Sequence, residues 1–255
     1  MNSVHIDGEG RQQPVVLEEA RMEKRTEAAK QEGMPKGMRI GESIFDICYL
    51  LFDLVAAIIF IAEAKGRTVF MLFALMTLLL GGGDAFHLIP RVQMHLFGVK
   101  EDTTRKLGLG TAITSVTMTV FYVVLYFIWK EIFPDIEVSP AIPALIFATA
   151  AIRIAICLFP QNEWTSGKEN LRWSLARNIP FAITGILVIA LFALSGNTGG
   201  YGLWRMCIAI ALSFAFYLPV TFLAKRKPAV GALMLPKTVM YIWIICMGLE
   251  LLPKL

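Results

Sequence analysis

Seven runs of apolar residues, each about 18–23 long, follow a polar opening stretch in this chain. They fall near 44–62, 68–90, 108–129, 140–159, 176–194, 204–223 and 236–252. An α-helix rises ~1.5 Å per residue, so about 20 apolar residues cross a hydrocarbon layer of ~30 Å. Helices also satisfy their backbone groups within one segment, which lipid requires. The pattern therefore predicts an all-α fold, a polytopic seven-transmembrane-helix bundle. The connections are short, which leaves no room for a second large domain. Two regions result: a charged tail over 1–43, partly helical or disordered, and a seven-helix domain over 44–255. Residues 16–30 of the tail are rich in helix formers without a clear apolar stripe, which predicts a solvated helix.

Composition agrees with the pattern. Of 255 residues, 56% are hydrophobic and 17% charged, the balance of a membrane chain. The formal charge of +4 says less than where the charges lie. Seventeen Lys and Arg fall in the N-terminal stretch and the second, fourth and sixth connections. Five lie on the other side: Lys65, Arg67, Lys130, Arg205 and Lys254. The positive-inside rule then places the N-terminus in the cytoplasm and the C-terminus outside. Cys48, Cys157, Cys207 and Cys246 sit within apolar runs, so no disulfides are expected.

Against that background, ionisable residues inside the runs call for a reason. Asp84, His87 and Arg91 in the second run are spaced i, i+3, i+7 and share a helix face. A charge at the bilayer centre costs roughly 2.5–3.5 kcal/mol on insertion scales, so such groups face protein or water. With the topology above, Arg91 lies at the inner boundary, His87 roughly 6 Å deeper and Asp84 roughly 10 Å deeper. The same half collects Thr114, Ser115 and Tyr122 in the third run and Asn162 after the fourth. It also holds Arg177 and Asn178 opening the fifth, Tyr217 in the sixth and Lys237 opening the seventh. One-sided clustering predicts a polar pocket open to the cytoplasm. Asp84 and His87 are its proton-handling candidates, and the other eight, with Arg91, its ligand-binding candidates. Asp53 and Arg153 are expected to form a structural ion pair. Three plainer roles compete: Lys237 snorkelling, Gly81–Gly83 serving close packing or a kink, and the whole network locking the fold.

The available chemistry narrows the function. Zinc needs three or four ligands, and His87 is the lone histidine within a span; His5 is in the tail and His95 is expected in a loop. No metal and no cofactor are expected. The architecture resembles the alkaline ceramidase and adiponectin receptor superfamily, which holds zinc through histidines of an early and the final helix. The final run here has none. Retinal proteins also carry a lysine in the last of seven helices, deep in the bundle, whereas Lys237 lies at the edge. The leading expectation is a transporter or solute-binding protein for a small polar or anionic ligand, with proton coupling as an option. Alternatives are a metal-independent enzyme on a lipid headgroup, with His87 as base and Ser115 or Thr114 as nucleophile, and a membrane sensor or receptor. The partners expected are the bilayer and that ligand or headgroup, with no nucleic acid. The strings Gly83-Asp-Ala-Phe-His87-Leu-Ile-Pro-Arg91, Thr114-Ser-Val-Thr-Met-Thr, Phe159-Pro-Gln-Asn-Glu-Trp164 and Arg177-Asn-Ile-Pro-Phe181 resemble a family of uncharacterised bacterial multi-pass membrane proteins. The resemblance implies a bacterial inner membrane, the plasma membrane, and carries no activity.

Overall fold

The computed structural model describes residues 4–6, 12–14, 35–166, 170–223 and 227–255. Seven long helices make the fold: α1 Lys36–Ala64, α2 Thr68–Phe97, α3 Thr103–Ile132, α4 Ala141–Leu158, α5 Leu171–Ser195, α6 Arg205–Leu223 and α7 Met234–Leu249. Near the N-terminus, Val4–Ile6 pairs antiparallel with Gln12–Pro14. The helix expected over 16–30 lies outside the described residues.

Each helix end has a local cause. α1 stops where Lys65 and Gly66 take positive φ, and the Arg67 side chain donates to the last carbonyls, Glu63 O at 2.7 Å and Ala64 O at 3.3 Å. α4 stops at Phe159, because Pro160 pushes its predecessor out of the helical region. α5 opens on Asn170, whose side chain accepts from the Arg172 amide at 3.1 Å.

Neighbouring helices run antiparallel, as shown by contacts such as Asp46 with Arg91, Gly83 with Thr114 and Thr149 with Thr184. α2 packs between α1 and α3, and α7 returns against α1 and α2 to close the bundle. The core is a continuous block of aromatic and aliphatic side chains, with Phe60, Phe73, Phe121, Trp129 and Phe192 fully buried. Large apolar residues also cover the outside: Ile58 is 56% exposed, Ile179 60% and Ile186 63%. In water such a coat would drive aggregation; in lipid it is the solvated face. Among the described residues, six helical segments are long and apolar enough to cross a membrane, and α6 is a shorter apolar helix. This is a multi-pass membrane protein.

The helices outrun the hydropathy pattern. α1 starts at Lys36 rather than 44, and α2 passes Pro90 to end at Phe97. His95 is therefore a helical residue, not a loop residue, and is nearly buried. A 30-residue helix such as α2 is ~45 Å long and exceeds a bilayer core. Hydropathy reads only the stretch that meets lipid. The extra turns are held by packing and polar pairs between helices.

Candidate functional site

The half of the bundle where α1, α3, α5 and α7 begin contains a cavity of about 220 Å³. It is built from helix ends. α2 supplies His87 and Arg91, α3 supplies Thr111, Thr114, Ser115 and Met118, and α4 supplies Arg153. Phe181 of α5, Tyr217 of α6, and Met234, Lys237 and Tyr241 of α7 complete the lining. Of the expected site residues, the fold thus brings His87, Arg91, Thr114, Ser115, Tyr217 and Lys237 together.

The wall has an aromatic base. Tyr122 is buried beneath it, edge-on to Phe181 with ring centroids 5.2 Å apart, and does not line the cavity. The Arg153 guanidinium lies 3.4 Å over the Phe181 ring. Its Nε and Nη1 are buried without a hydrogen-bond partner. Lys237 is 7% exposed, with its ammonium 4.9 Å from the Tyr241 ring centroid and 5.5 Å from that of Tyr217. It is a buried cation rather than a snorkelling one. Among the described residues, no carboxylate comes within ion-pair distance of Arg153 or Lys237, and Asp84 is the carboxylate that acts on Lys237 from farther away.

The expected Asp53–Arg153 pair is therefore not made. Both Asp53 oxygens lack partners, and Asp53 instead packs on α2 where Gly81 has no side chain. The ion pair on this side joins a partly exposed Arg91 to the buried Asp46 of α1. Arg91 Nε reaches Oδ2 at 3.0 Å, and Nη2 reaches both oxygens at 2.8 Å. Arg91 lines the cavity with its charge already matched.

Asp84 and His87 share a face, yet α2 lies between two helices and the pair divides. Asp84 turns to α1, where the Tyr49 hydroxyl donates to Oδ2 at 3.0 Å. Its Oδ1 is buried without a partner, and Asp84 is not among the lining residues. His87 turns to α3, with Nδ1 3.1 Å from Thr114 Oγ1. That hydroxyl donates to Gly83 O at 2.9 Å, so it accepts from Nδ1–H. Ser115 donates to Thr111 O at 2.8 Å, within its own helix. Neither hydroxyl hands its proton to His87.

The remaining candidates form a separate lock between α4 and α5. The Asn162 amide donates to Ile156 O at 2.6 Å and Phe159 O at 2.9 Å, which satisfies carbonyls left open at the end of α4. Asn162 Oδ1 accepts from Arg177 Nη1 at 3.0 Å, and Arg177 stacks 4.5 Å over Trp164. Asn178 accepts from the Tyr217 hydroxyl at 3.0 Å and so orients a lining residue from behind. These three belong to the frame and not to the cavity wall.

Sequence reasoning missed Tyr49 as the partner of Asp84 and Arg153 as a cavity cation. A signal existed for the first. Asp46, Tyr49 and Asp53 repeat on α1 the i, i+3, i+7 spacing of Asp84, His87 and Arg91 on α2, and the two faces meet antiparallel. No group of three or more His, Cys, Asp or Glu placed to hold a metal occurs among the described residues. Compared with known protein families, curated proteins and solved structures, the chain finds no match.

Proposed function

We propose that this protein binds a small anionic solute in the cavity and serves as a transporter or solute-binding protein of the plasma membrane. The seventeen-to-five division of Lys and Arg supports a cytoplasmic N-terminus, an external C-terminus and a cavity open to the cytoplasm. One observation carries the anion: Arg153 and Lys237 are buried at the cavity without a carboxylate in direct contact, and two nitrogens of Arg153 have no partner at all. A buried, unpaired cation is costly, and an anion in the cavity would supply the missing partner. The cavity, at about 220 Å³, fits a small solute or a headgroup and not a large molecule. Proton coupling through Asp84 and His87 belongs to the same reading, as does a bacterial source.

Melting of the purified protein in detergent tests this against phosphate, sulfate and small carboxylates, with chloride as the control. At least one anion is expected to raise the melting temperature of the wild type. Arg153→Gln and Lys237→Gln each remove a charged hydrogen-bond donor, so each should weaken that anion about tenfold or more. Melting that no anion moves beyond chloride overturns the reading. In proteoliposomes, proton coupling predicts a pH change on solute addition that Asp84→Asn abolishes.

A further inference from the structure

We infer that the anion taken by this cavity carries a hydrogen-bond donor of its own, as monohydrogen phosphate does. The inference rests on the anion reading above and narrows it. A chain of three groups fixes the chemistry. The Gly83 carbonyl accepts from the Thr114 hydroxyl at 2.9 Å, which leaves that oxygen only as an acceptor toward His87 Nδ1 at 3.1 Å. Nδ1 therefore holds the ring proton. At mildly alkaline pH an imidazole is neutral by its ordinary value, so Nε2 carries a lone pair. His87 lines the cavity with Arg91, Arg153 and Lys237.

The site thus offers charge from Arg153 and Lys237 and an acceptor from His87. A fully deprotonated oxyanion would set its own lone pairs against that acceptor, and an unmatched buried polar group costs about 1–3 kcal/mol. A protonated oxyanion meets all three groups. Recognition of this kind discriminates strongly, because a site built for a donor leaves a buried group unpaired when the donor is missing. Gly83 and Gly110 serve the same geometry. A Cβ on Gly83 would come 2.0 Å from Thr117 Oγ1, and one on Gly110 would come 2.6 Å from His87 Cβ. Their lack of side chains lets α2 and α3 approach closely enough for the His87–Thr114–Gly83 chain to form.

Phosphate and sulfate test this directly. At mildly alkaline pH both are tetrahedral dianions, and only phosphate retains an O–H. Calorimetric titration of the full-length protein in detergent should give phosphate at least about tenfold tighter than sulfate. Thr114→Val frees Nδ1 to lose its proton to Nε2, and His87→Phe removes the acceptor. Both should bring the two anions to within about twofold while binding persists. If either variant fails to fold, the wild-type ratio alone decides. Sulfate equal to or tighter than phosphate overturns the donor requirement and leaves the anion reading standing. Binding of neither anion, nor of any carboxylate, overturns the anion reading itself.

Discussion

A single residue's role in this bundle depends on whether its charge is matched. Arg91 and Arg153 read alike in the sequence, each one guanidinium in an apolar run. Arg91 has Asp46 in a two-pronged contact, whereas two nitrogens of Arg153 have no partner. The two should respond oppositely to neutralisation. Asp46→Asn leaves Arg91 without a counter-charge and is expected to cost about 2–4 kcal/mol, below the fully buried range because Arg91 is partly exposed. The double variant Asp46→Leu with Arg91→Met should recover most of that loss. Arg153→Met removes a buried charge that no carboxylate matches, so the ligand-free protein should melt higher while anion binding weakens about tenfold or more. Unfolding in detergent reads all three. A lower melting point for Arg153→Met would show that its stacking on Phe181 outweighs the cost of burying the charge.

At the scale of elements, the three consecutive glycines of α2 have separate duties. A Cβ on Gly81 would meet Asp53 Cβ at 2.7 Å, and one on Gly83 would meet Thr117 Oγ1 at 2.0 Å, while Gly82 has nothing within 4 Å. α2 runs unbroken through all three, so Gly81 and Gly83 serve close packing on its two sides and not a kink. Gly83→Ala should push α2 from α3 and destabilise by about 1–3 kcal/mol. Gly82→Ala should be neutral or stabilise by up to ~1 kcal/mol through helix propensity. Equal effects at the two positions would refute this division. The run Gly81-Gly-Gly83 marked the place in the sequence. Which glycine faces which helix depended on where α1 and α3 lie.

For the whole molecule, the number of crossings fixes the sides of the two ends. Seven crossings put the termini on opposite sides and six put them on the same side. α6, with 19 residues, is ~28 Å long by helical rise, just enough for a hydrocarbon core of ~30 Å. Its far end is tied to α7, since Arg205 bonds Glu250 at the close of that helix. The tie keeps the two antiparallel and adjacent. Single cysteines at Gly37 and Lys254, in a protein freed of its own four, test the count with a membrane-impermeant reagent on intact cells. Position 37 should be shielded and position 254 labelled. The same outcome at both positions would mean that one helix does not cross.

Hydropathy alone determined the class and most of the architecture: long helices, their order, and the half of the bundle where polar residues gather. It could do so because lipid acts on each segment separately, and the cost of exposing backbone or charge to hydrocarbon is paid locally. Helix ends such as Lys36 and Phe97 escaped, because beyond the lipid the chain is held by neighbours. Only the tertiary structure decided pairing. It gave Asp46 to Arg91, turned Asp84 toward Tyr49, joined His87 to Thr114, and set Arg177 and Asn162 into the frame. A periodicity assigns a residue to a face, but a face on α2 meets two helices, and only their positions say which one each side chain reaches. Arg153 emerged as the unmatched charge for the same reason: a missing partner is a property of the whole bundle.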